Sequence, residues 1–167
     1  RDGVLSMPDY SIRSVEKVDL PLLGTALRAL SKELGDPHPA TSSFLEQAGF
    51  GPTPAYYGLV ALNDADALCG VVVFSPVMST TLAATGCFVS DLWVADTERG
   101  HGLGRRLLLQ AAELSQAKWN ARYLKLAVYD GSSDARRFYA NLGFTERSGE
   151  TTLFLENIGL DSLKDTT

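Results

Sequence analysis

The segment VADTERGHGLGRRLLLQAAEL constrains the fold of this chain more than any other part of its sequence. A strand-like run ends near Asp96, and apolar side chains at helical spacing follow from Leu103 to Trp119. The turn between them carries three glycines, Gly100, Gly102 and Gly104. The first N–H groups of a helix have no partner within it, and the helix dipole adds partial positive charge there. Because glycine lets a ligand approach the backbone closely, the turn predicts an anion site suited to phosphate.

Two common glycine motifs for nucleotides do not fit this turn. A Walker motif places Lys and then Ser or Thr after its last glycine, whereas Gly104 is followed by Arg105 and Arg106. A dinucleotide fingerprint reads G-x-G-x-x-G, whereas this turn reads G-x-G-x-G. The residues alone therefore leave two interpretations open, a phosphate-binding turn and a plain tight turn.

The remaining sequence predicts a mixed α/β (α+β) fold without strict βαβ alternation. Apolar and alternating runs predict strands at 10–15, 55–62, 67–78, 87–96 and 122–129, with closing strands at 143–149 and 151–158. Helical spacing and capping residues predict helices at 20–34, 41–49, 103–119 and 132–144. The first of these helices is expected to use Asp19 as its N-cap.

Length sets the domain organisation. At 167 residues the chain predicts one domain. We expect this domain to occupy residues 7–158. Residues 1–6, which precede Met7, are interpreted as a remnant that is not native, and residues 159–167 as a polar tail.

Charge and cysteine content argue against several classes. The net charge of −5 disfavours a protein that binds nucleic acid by bulk attraction. No apolar run in the sequence is long enough to span a bilayer, so no membrane partner is expected. Cys69 and Cys87 lie in strand-like apolar runs and are predicted to be buried free thiols, which fits the reducing cytoplasm.

Three segments, in order, carry a resemblance to a known family. The turn RGHGLG (Arg99–Gly104) resembles the pyrophosphate loop of the GNAT N-acetyltransferase superfamily, which reads Arg or Gln, two residues, Gly, one residue, Gly or Ala. The preceding DLWVAD and the later ARRFYANLGF resemble two further family segments. The resemblance covers 11–157. It implies a GNAT-like mixed, mostly antiparallel twisted sheet of about six or seven strands flanked by about four helices.

The resemblance implies acetyl-CoA as co-substrate and no metal. In such enzymes a bulge splays the strand before the loop, and the pantetheine arm pairs beside it, here at Leu92, Trp93 and Val94. Backbone N–H groups near the bulge would polarise the thioester carbonyl. The pyrophosphate would be held by backbone N–H groups of Arg99, Gly100, His101, Gly102, Leu103, Gly104 and Arg105.

The segment after the loop implies the proton donor. By the resemblance, Tyr139 lies near the CoA sulfur and protonates the departing thiolate, and Ala135 and Phe138 contact the cofactor. Many members have Asn where this chain has Ser132, so the side chain that would reach the cofactor from this position is shorter here. A core tyrosine with a bonded hydroxyl is the alternative reading of Tyr139.

Asp91 is the candidate for receiving the proton of the amine. It lies on the strand beside the expected acetyl site, and it either accepts this proton or holds a cationic substrate. A carboxylate bonded to backbone is the structural alternative. Similar diamine acetyltransferases often carry Glu next to this Asp, where this chain has Ser90.

The resemblance therefore implies transfer of acetyl from acetyl-CoA to a primary amine by direct attack in a ternary complex. A small polyamine-like amine is favoured as acceptor, and a peptide N-terminus or lysine is the alternative. A non-catalytic acyl-CoA-binding module and a plain nucleotide-binding fold are the rivals from other classes. Relatives are often homodimers through their last strands, and TTLFLENI is apolar enough to allow this.

Overall fold

The computed structural model describes residues 8–164. They divide into two compact units, the first ending at Ala127 and the second beginning at Val128. The interpretation of residues 1–6 and the end of the predicted tail, 165–167, lie outside the described residues.

The first unit is built on one five-stranded sheet in the order β1-β2-β3-β4-β5. The strands are β1 (Ser11–Ser14), β2 (Tyr57–Leu62), β3 (Leu68–Ser79), β4 (Ala84–Val94) and β5 (Leu124–Leu126). The first three pairings are antiparallel, and β4 pairs with β5 in parallel. This confirms the predicted mixed, mostly antiparallel sheet, with fewer strands than expected.

The turn between β2 and β3 explains why these two strands form a hairpin. The side-chain oxygen of Asn63 accepts hydrogen bonds from the backbone N–H groups of Ala65 and Ala67, at 2.9 and 3.0 Å. Asp66 adopts a left-handed φ of 57°, which Asp tolerates better than most residues. The short polar turn thus fixes the antiparallel register.

Three helices belong to this unit, α1 (Leu20–Leu34), α2 (Ser42–Gly49) and α3 (Leu103–Trp119). Gly35 ends α1 with a φ of 75°, and Thr41 caps α2 by accepting from Phe44 N–H at 3.1 Å. Asp19 is at the N-cap of α1, but the expected side-chain cap bond is absent. Its buried carboxylate instead accepts two bonds from the Arg13 guanidinium, at 2.6 and 2.8 Å.

The sheet has helices on both faces. Helices α1 and α2 pack on one face through a cluster of buried apolar residues: Leu20, Leu23, Ala26, Leu27, Leu45, Val60, Leu62, Val71 and Val73. Helix α3 packs on the other face, where Leu103 and Leu107 lie against Gly70. A side chain at Gly70 would collide with this helix, so glycine permits the close approach of strand and helix.

The second unit contains α4 (Ser133–Asn141) and α5 (Asn157–Ser162). The apolar residues at helical spacing on α4 are partly buried, as predicted: Ala135, Phe138, Tyr139 and Leu142. Gly143 follows with a φ of 95°, and Phe144 N–H donates back to the Tyr139 carbonyl at 3.0 Å. This glycine-terminated end matches the expected helix stop.

The two closing strands predicted at 143–149 and 151–158 are wrong for the described chain, which has no strand in either segment. A helix, α5, lies where the second strand and the polar tail were expected to meet. Leu153 and Phe154 are 86% and 83% exposed. Alternation is a local signal, but a strand also needs a partner edge for its backbone groups, and here none is paired with it.

Candidate active site

Strand β4 contains a bulge. Val73 of β3 lies opposite Asp91, whereas the next residue, Phe74, lies opposite Val89. Ser90 is therefore the extra residue, and its hydroxyl donates to the Val73 carbonyl at 3.3 Å. A bulge bends the strand and redirects the residues after it, which here are those predicted to meet the cofactor.

The bulge coincides with the end of pairing between β4 and β5. The parallel pairs cover Cys87 to Val89 only. Beyond the bulge, Ala95 N–H donates to the Cys69 carbonyl of β3 at 2.8 Å. Because bonding direction alternates along an antiparallel strand, Trp93 also faces β3, whereas the N–H and C=O groups of Leu92 and Val94 face the opposite edge. That edge has no strand partner among the described residues.

The backbone groups of Leu92 and Val94 therefore face an edge without a strand partner in residues 8–164, whereas those of Trp93 face β3. The pantetheine contacts expected at these three residues stay predictions. The indole of Trp93 packs against the apolar cluster beneath α1 and α2. The indole Nε1 is buried and has no hydrogen-bond partner in the part of the chain that the structure describes.

The glycine turn leads into α3 with unpaired N–H groups. Gly100 and Gly102 adopt φ values of 81° and 78°, and Gly102 is the N-cap without any side-chain cap. The first donor of the helix is Arg106 N–H, which bonds to the Gly102 carbonyl at 3.1 Å. The N–H groups of Leu103, Gly104 and Arg105 precede it and have no acceptor within the helix. This geometry suits an anion at the helix start.

The three arginines of the segment differ in their partners. The Arg99 side chain pairs with Glu33 and Asp96, at 2.7 and 3.0 Å. Arg106 lies over the Tyr10 ring, 5.7 Å from its centroid. Arg105 and His101 are exposed. Only Arg105 thus presents a guanidinium at the helix start that no protein group holds in the described structure.

Asp91 is partly buried and follows the bulge directly. Its burial raises the pKa of the carboxyl above its ordinary value, and the Ser90 hydroxyl and the charge of His38 oppose this shift. A carboxyl that binds its proton more tightly than usual is a better proton acceptor for a neighbouring amine.

The effect of His38 on Asp91 identifies a residue that the sequence did not predict as functional. His38 lies in the loop between α1 and α2, flanked by Pro37 and Pro39. Its Nδ1 lies 3.0 Å from the Ser31 hydroxyl, and its Nε2 is buried without a hydrogen-bond partner within residues 8–164. A histidine between two prolines was the available signal, but nothing in the sequence linked it to β4.

In the second unit, α4 brings together the residues of the third family segment. The Tyr139 ring packs edge-on against Phe138 and Phe144, with centroids 5.0 and 5.3 Å apart. Burial raises the pKa of Tyr139, so the phenol stays protonated well above neutral pH. Ser132 occupies the N-cap without a side-chain cap bond, which leaves its hydroxyl uncommitted to the helix. Ala135 is one turn further on, on the same partly buried face.

A metal site and a membrane-spanning helix are both absent from the described residues. Residues 8–164 contain no group of three or more His, Cys, Asp or Glu side chains that could hold a metal ion. No helix in this range is both long and apolar enough to cross a membrane.

Comparisons with known proteins identify the family of this chain. The family model described as Acetyltransferase (GNAT) family matches residues 25–144. A thialysine N-epsilon-acetyltransferase of Bos taurus is 28% identical over 152 residues, which cover 83% of this chain and 87% of that protein.

Solved structures with the same fold include an integron cassette protein from the mobile metagenome of V. cholerae. It has a TM-score of 0.73 at 20% identity and covers 94% of this chain and 98% of its own. A ribosomal-protein-alanine N-acetyltransferase from Brucella melitensis biovar Abortus 2308 has a TM-score of 0.71 at 18% identity, covering 87% and 99%. The family match runs through both the glycine turn and the Tyr139 segment, and the chain belongs to the GNAT acetyltransferase family.

Proposed function

We propose that this protein transfers the acetyl group of acetyl-CoA to a primary amine within a ternary complex. The observation that carries the proposal is the edge of β4 after the bulge. There the pairing with β5 has ended, and the N–H and C=O groups of Leu92 and the N–H group of Val94 face outward, while the Val94 carbonyl accepts from Arg99 Nε. The strand then leads into the unpaired N–H groups of α3. An extended amide-containing arm that ends in a pyrophosphate matches this sequence of donors.

The residues of the glycine turn fit the pyrophosphate. The N–H groups of Leu103, Gly104 and Arg105 have no acceptor in α3, and positive φ values at Gly100 and Gly102 shape the turn. Acetyl-CoA supplies the activated acyl group. The chain supplies donors that hold it, and Ser132, Ala135 and Phe138 of the second unit are proposed to contact it as well.

The reaction needs a stabilised oxyanion and two proton movements. Asp91 holds the ammonium form of the acceptor, and a base takes one N–H proton so that the nitrogen lone pair is free. This nitrogen attacks the thioester carbon, and the carbonyl oxygen takes up negative charge that the Leu92 N–H is proposed to stabilise. Tyr139 gives its proton to the CoA thiolate as the carbon–sulfur bond breaks. Tyr139 is supported by its match to the family segment and by a raised pKa, which keeps it protonated until that moment.

The proposed acceptor is a small polyamine-like amine. Asp91 offers a partly buried carboxylate to a cation, and the net charge of −5 favours the approach of cationic substrates. The curated relative is named for activity on thialysine, an amine of this size class. A peptide N-terminus, a protein lysine and an acyl-CoA-binding module without catalysis are the alternatives.

One experiment separates these possibilities. Thermal shift with acetyl-CoA is followed by thiol release with a panel of spermidine, putrescine, thialysine, lysine and an N-terminal peptide. We expect stabilisation by acetyl-CoA and turnover of the polyamines or thialysine. Stabilisation without turnover of any amine would favour the acyl-CoA-binding module. A protein that acetyl-CoA does not stabilise is neither an acetyltransferase nor such a module.

We propose that both compact units form one acetyltransferase domain over residues 7–158. The family match runs from residue 25 to residue 144 and so crosses the boundary at Ala127.

We place the protein in the cytoplasm. The two cysteines are free and buried, as a reducing compartment permits, and burial raises the pKa of each thiol.

We also propose that the segment TTLFLENI pairs with a second copy of the chain. Leu153, Phe154 and Ile158 are more than four-fifths exposed, which is unusual for three apolar side chains so close in sequence. A homodimer would cover these three side chains. Sedimentation of the wild type and of Phe154→Glu tests this, with a dimer expected only for the wild type.

A further inference from the structure

Two interactions link three polar side chains of α1, the loop after it and β4: a hydrogen-bond contact between Ser31 and His38, and an electrostatic interaction between His38 and Asp91. Ser31 is in the last turn of α1, and His38 follows in the loop to α2. Helix α1 packs on β3 and β4. Asp91 lies opposite Val73, and Val73 belongs to the apolar cluster that α1 covers. Asp91 therefore points to the face of the sheet that carries α1 and α2.

The imidazole of His38 is held in a defined orientation. Pro37 and Pro39 restrict the backbone on both sides, because each fixes its own φ and limits the residue before it. The Ser31 hydroxyl lies 3.0 Å from Nδ1. If Nδ1–H donates to this oxygen, the proton is on Nδ1 and the lone pair of the ring is on Nε2.

The Nε2 atom of His38 is buried and lacks a hydrogen-bond partner in the described structure. A buried polar atom without a partner costs free energy, so such atoms are rare and concentrate where a ligand is bound. The indole Nε1 of Trp93 is in the same condition, on the same face of β4 two residues after Asp91. Each of the two atoms is therefore open to a hydrogen bond with a ligand.

The interaction between His38 and Asp91 places the imidazole within electrostatic reach of the carboxylate. No hydrogen bond joins the two side chains. A group that donates N–H bonds to both would satisfy them together. The acceptor amine is such a group, since an ammonium has three N–H donors and a positive charge.

We propose that His38 is a catalytic residue that takes the proton of the acceptor amine while Asp91 holds that amine, an inference that rests on the proposed acetyl transfer. The amine arrives as an ammonium and donates to Asp91 and to His38 Nε2. One N–H bond breaks, its proton binds Nε2, and the freed nitrogen lone pair forms the bond to the acetyl carbon. The carbon–sulfur bond breaks, the thiolate leaves with that electron pair, and it is protonated by Tyr139.

The charged groups to be considered around His38 come from β4, its own loop and α1. Asp91 interacts with it electrostatically from β4, and Asp36 is in its own loop. Arg28, Lys32 and Glu33 are the charged residues of the last two turns of α1. Arg28 and Lys32 are exposed, and Glu33 is paired with Arg99.

Kinetics of His38→Gln test the inference. This variant keeps a polar group near Nε2 but cannot accept a proton. We expect kcat/KM for spermidine to fall about 100-fold, with the Kd of acetyl-CoA unchanged. Ser31→Ala, which keeps the imidazole, should lower kcat/KM by a smaller factor. Lys32→Gln, an exposed change beside Ser31, should leave both kcat/KM and this Kd unchanged.

A second readout does not require turnover. The chain has two histidines, so loss of a signal in His38→Gln assigns the His38 imidazole resonance. Spermidine added with CoA present should shift that resonance. If the wild type acetylates amines and His38→Gln keeps kcat/KM within about threefold, the inference is overturned while acetyl transfer stands. If no amine is acetylated, acetyl transfer fails, and an unmoved His38 resonance overturns the inference as well.

Discussion

Arg99 and Glu33 join the glycine turn to the end of α1. The Arg99 Nη2 donates to Glu33 Oε1 at 2.7 Å, and its Nε donates to the Val94 carbonyl at 3.0 Å. One side chain therefore holds three elements, the last residue of β4, the turn and α1. Because its guanidinium is engaged with protein groups, Arg99 can position the turn. Its backbone N–H, which was predicted to hold the pyrophosphate, donates to the Asp96 carbonyl at 3.4 Å.

Loss of this link should loosen the turn. We expect Arg99→Met to raise the Kd of acetyl-CoA by about tenfold, which corresponds to about 1.4 kcal/mol. Exposed ion pairs contribute little to folding, so the melting temperature should fall by no more than a few degrees. Arg137→Met is the matched control, because Arg137 makes only an exposed pair with Asp134, at 3.6 Å. Titration calorimetry with acetyl-CoA measures both, and equal affinities would remove Arg99 from this role.

Gly102 gives the most direct test of the turn itself. Its φ of 78° is unfavourable for a β-branched residue, by about 1–2 kcal/mol or more. Gly102→Val should therefore distort the turn and weaken acetyl-CoA binding at least about tenfold, while the distant core keeps its fold. Gly24→Ala serves as control, since a Cβ at Gly24 in α1 meets nothing within 4 Å. Unchanged cofactor affinity in a folded Gly102→Val protein would mean that the turn is only a tight turn.

Much of this arrangement could be predicted from the sequence, and the reason lies in which signals are local. Helix α3 begins at Leu103 and ends at Trp119 as predicted, because its glycine start and apolar spacing are properties of one segment. The bulge at Ser90 could not be predicted, because it is a mismatch of register between two strands. The electrostatic interaction between His38 and Asp91 could not be predicted either, because it depends on how α1 and the loop after it pack on the sheet.

In the C-terminal segment the sequence predicted a strand that the structure does not form. Alternating apolar residues in TTLFLENI predicted a strand, yet the described chain offers it no partner, and Leu153 and Phe154 remain exposed. A strand cannot form from alternation alone, because its backbone groups need a neighbouring edge. The alternating pattern therefore indicates a preference for strand structure, and a strand forms only when it pairs with another edge.

Tyr139→Phe tests the proton donor. Removal of the hydroxyl should lower kcat about 100-fold while the Kd of acetyl-CoA stays unchanged, because the ring still packs against Phe138 and Phe144. Tyr57→Phe is the matched change elsewhere, at a ring that packs against Phe74 and Trp119. Pre-steady-state release of CoA distinguishes a slow chemical step from slow product release. A Tyr139→Phe enzyme with the kcat of the wild type would show that another group protonates the thiolate.

The ionised carboxylate of Asp91 is expected to lower the free energy of unfolding at neutral pH. Its pKa is raised by burial, so the folded protein binds this proton more tightly than the unfolded chain does. Above the folded pKa the carboxylate is ionised at a cost; below about 3.9, the ordinary value for Asp, it is protonated in both states and the cost vanishes. Its destabilising effect therefore appears as the pH rises through the folded pKa.

Asp91→Asn should consequently be more stable than the wild type at pH 7, by about 2–4 °C or about 1 kcal/mol, and much less active. The difference in melting temperature should shrink as the pH falls towards about 4. Asp64→Asn, at an exposed carboxylate in the β2–β3 turn, should leave the melting temperature unchanged at both pH values. Thermal denaturation across this range measures the effect. An Asp91→Asn variant that is less stable than the wild type at pH 7 would identify Asp91 as a structural residue, whose ionised carboxylate accepts hydrogen bonds that stabilise the folded protein.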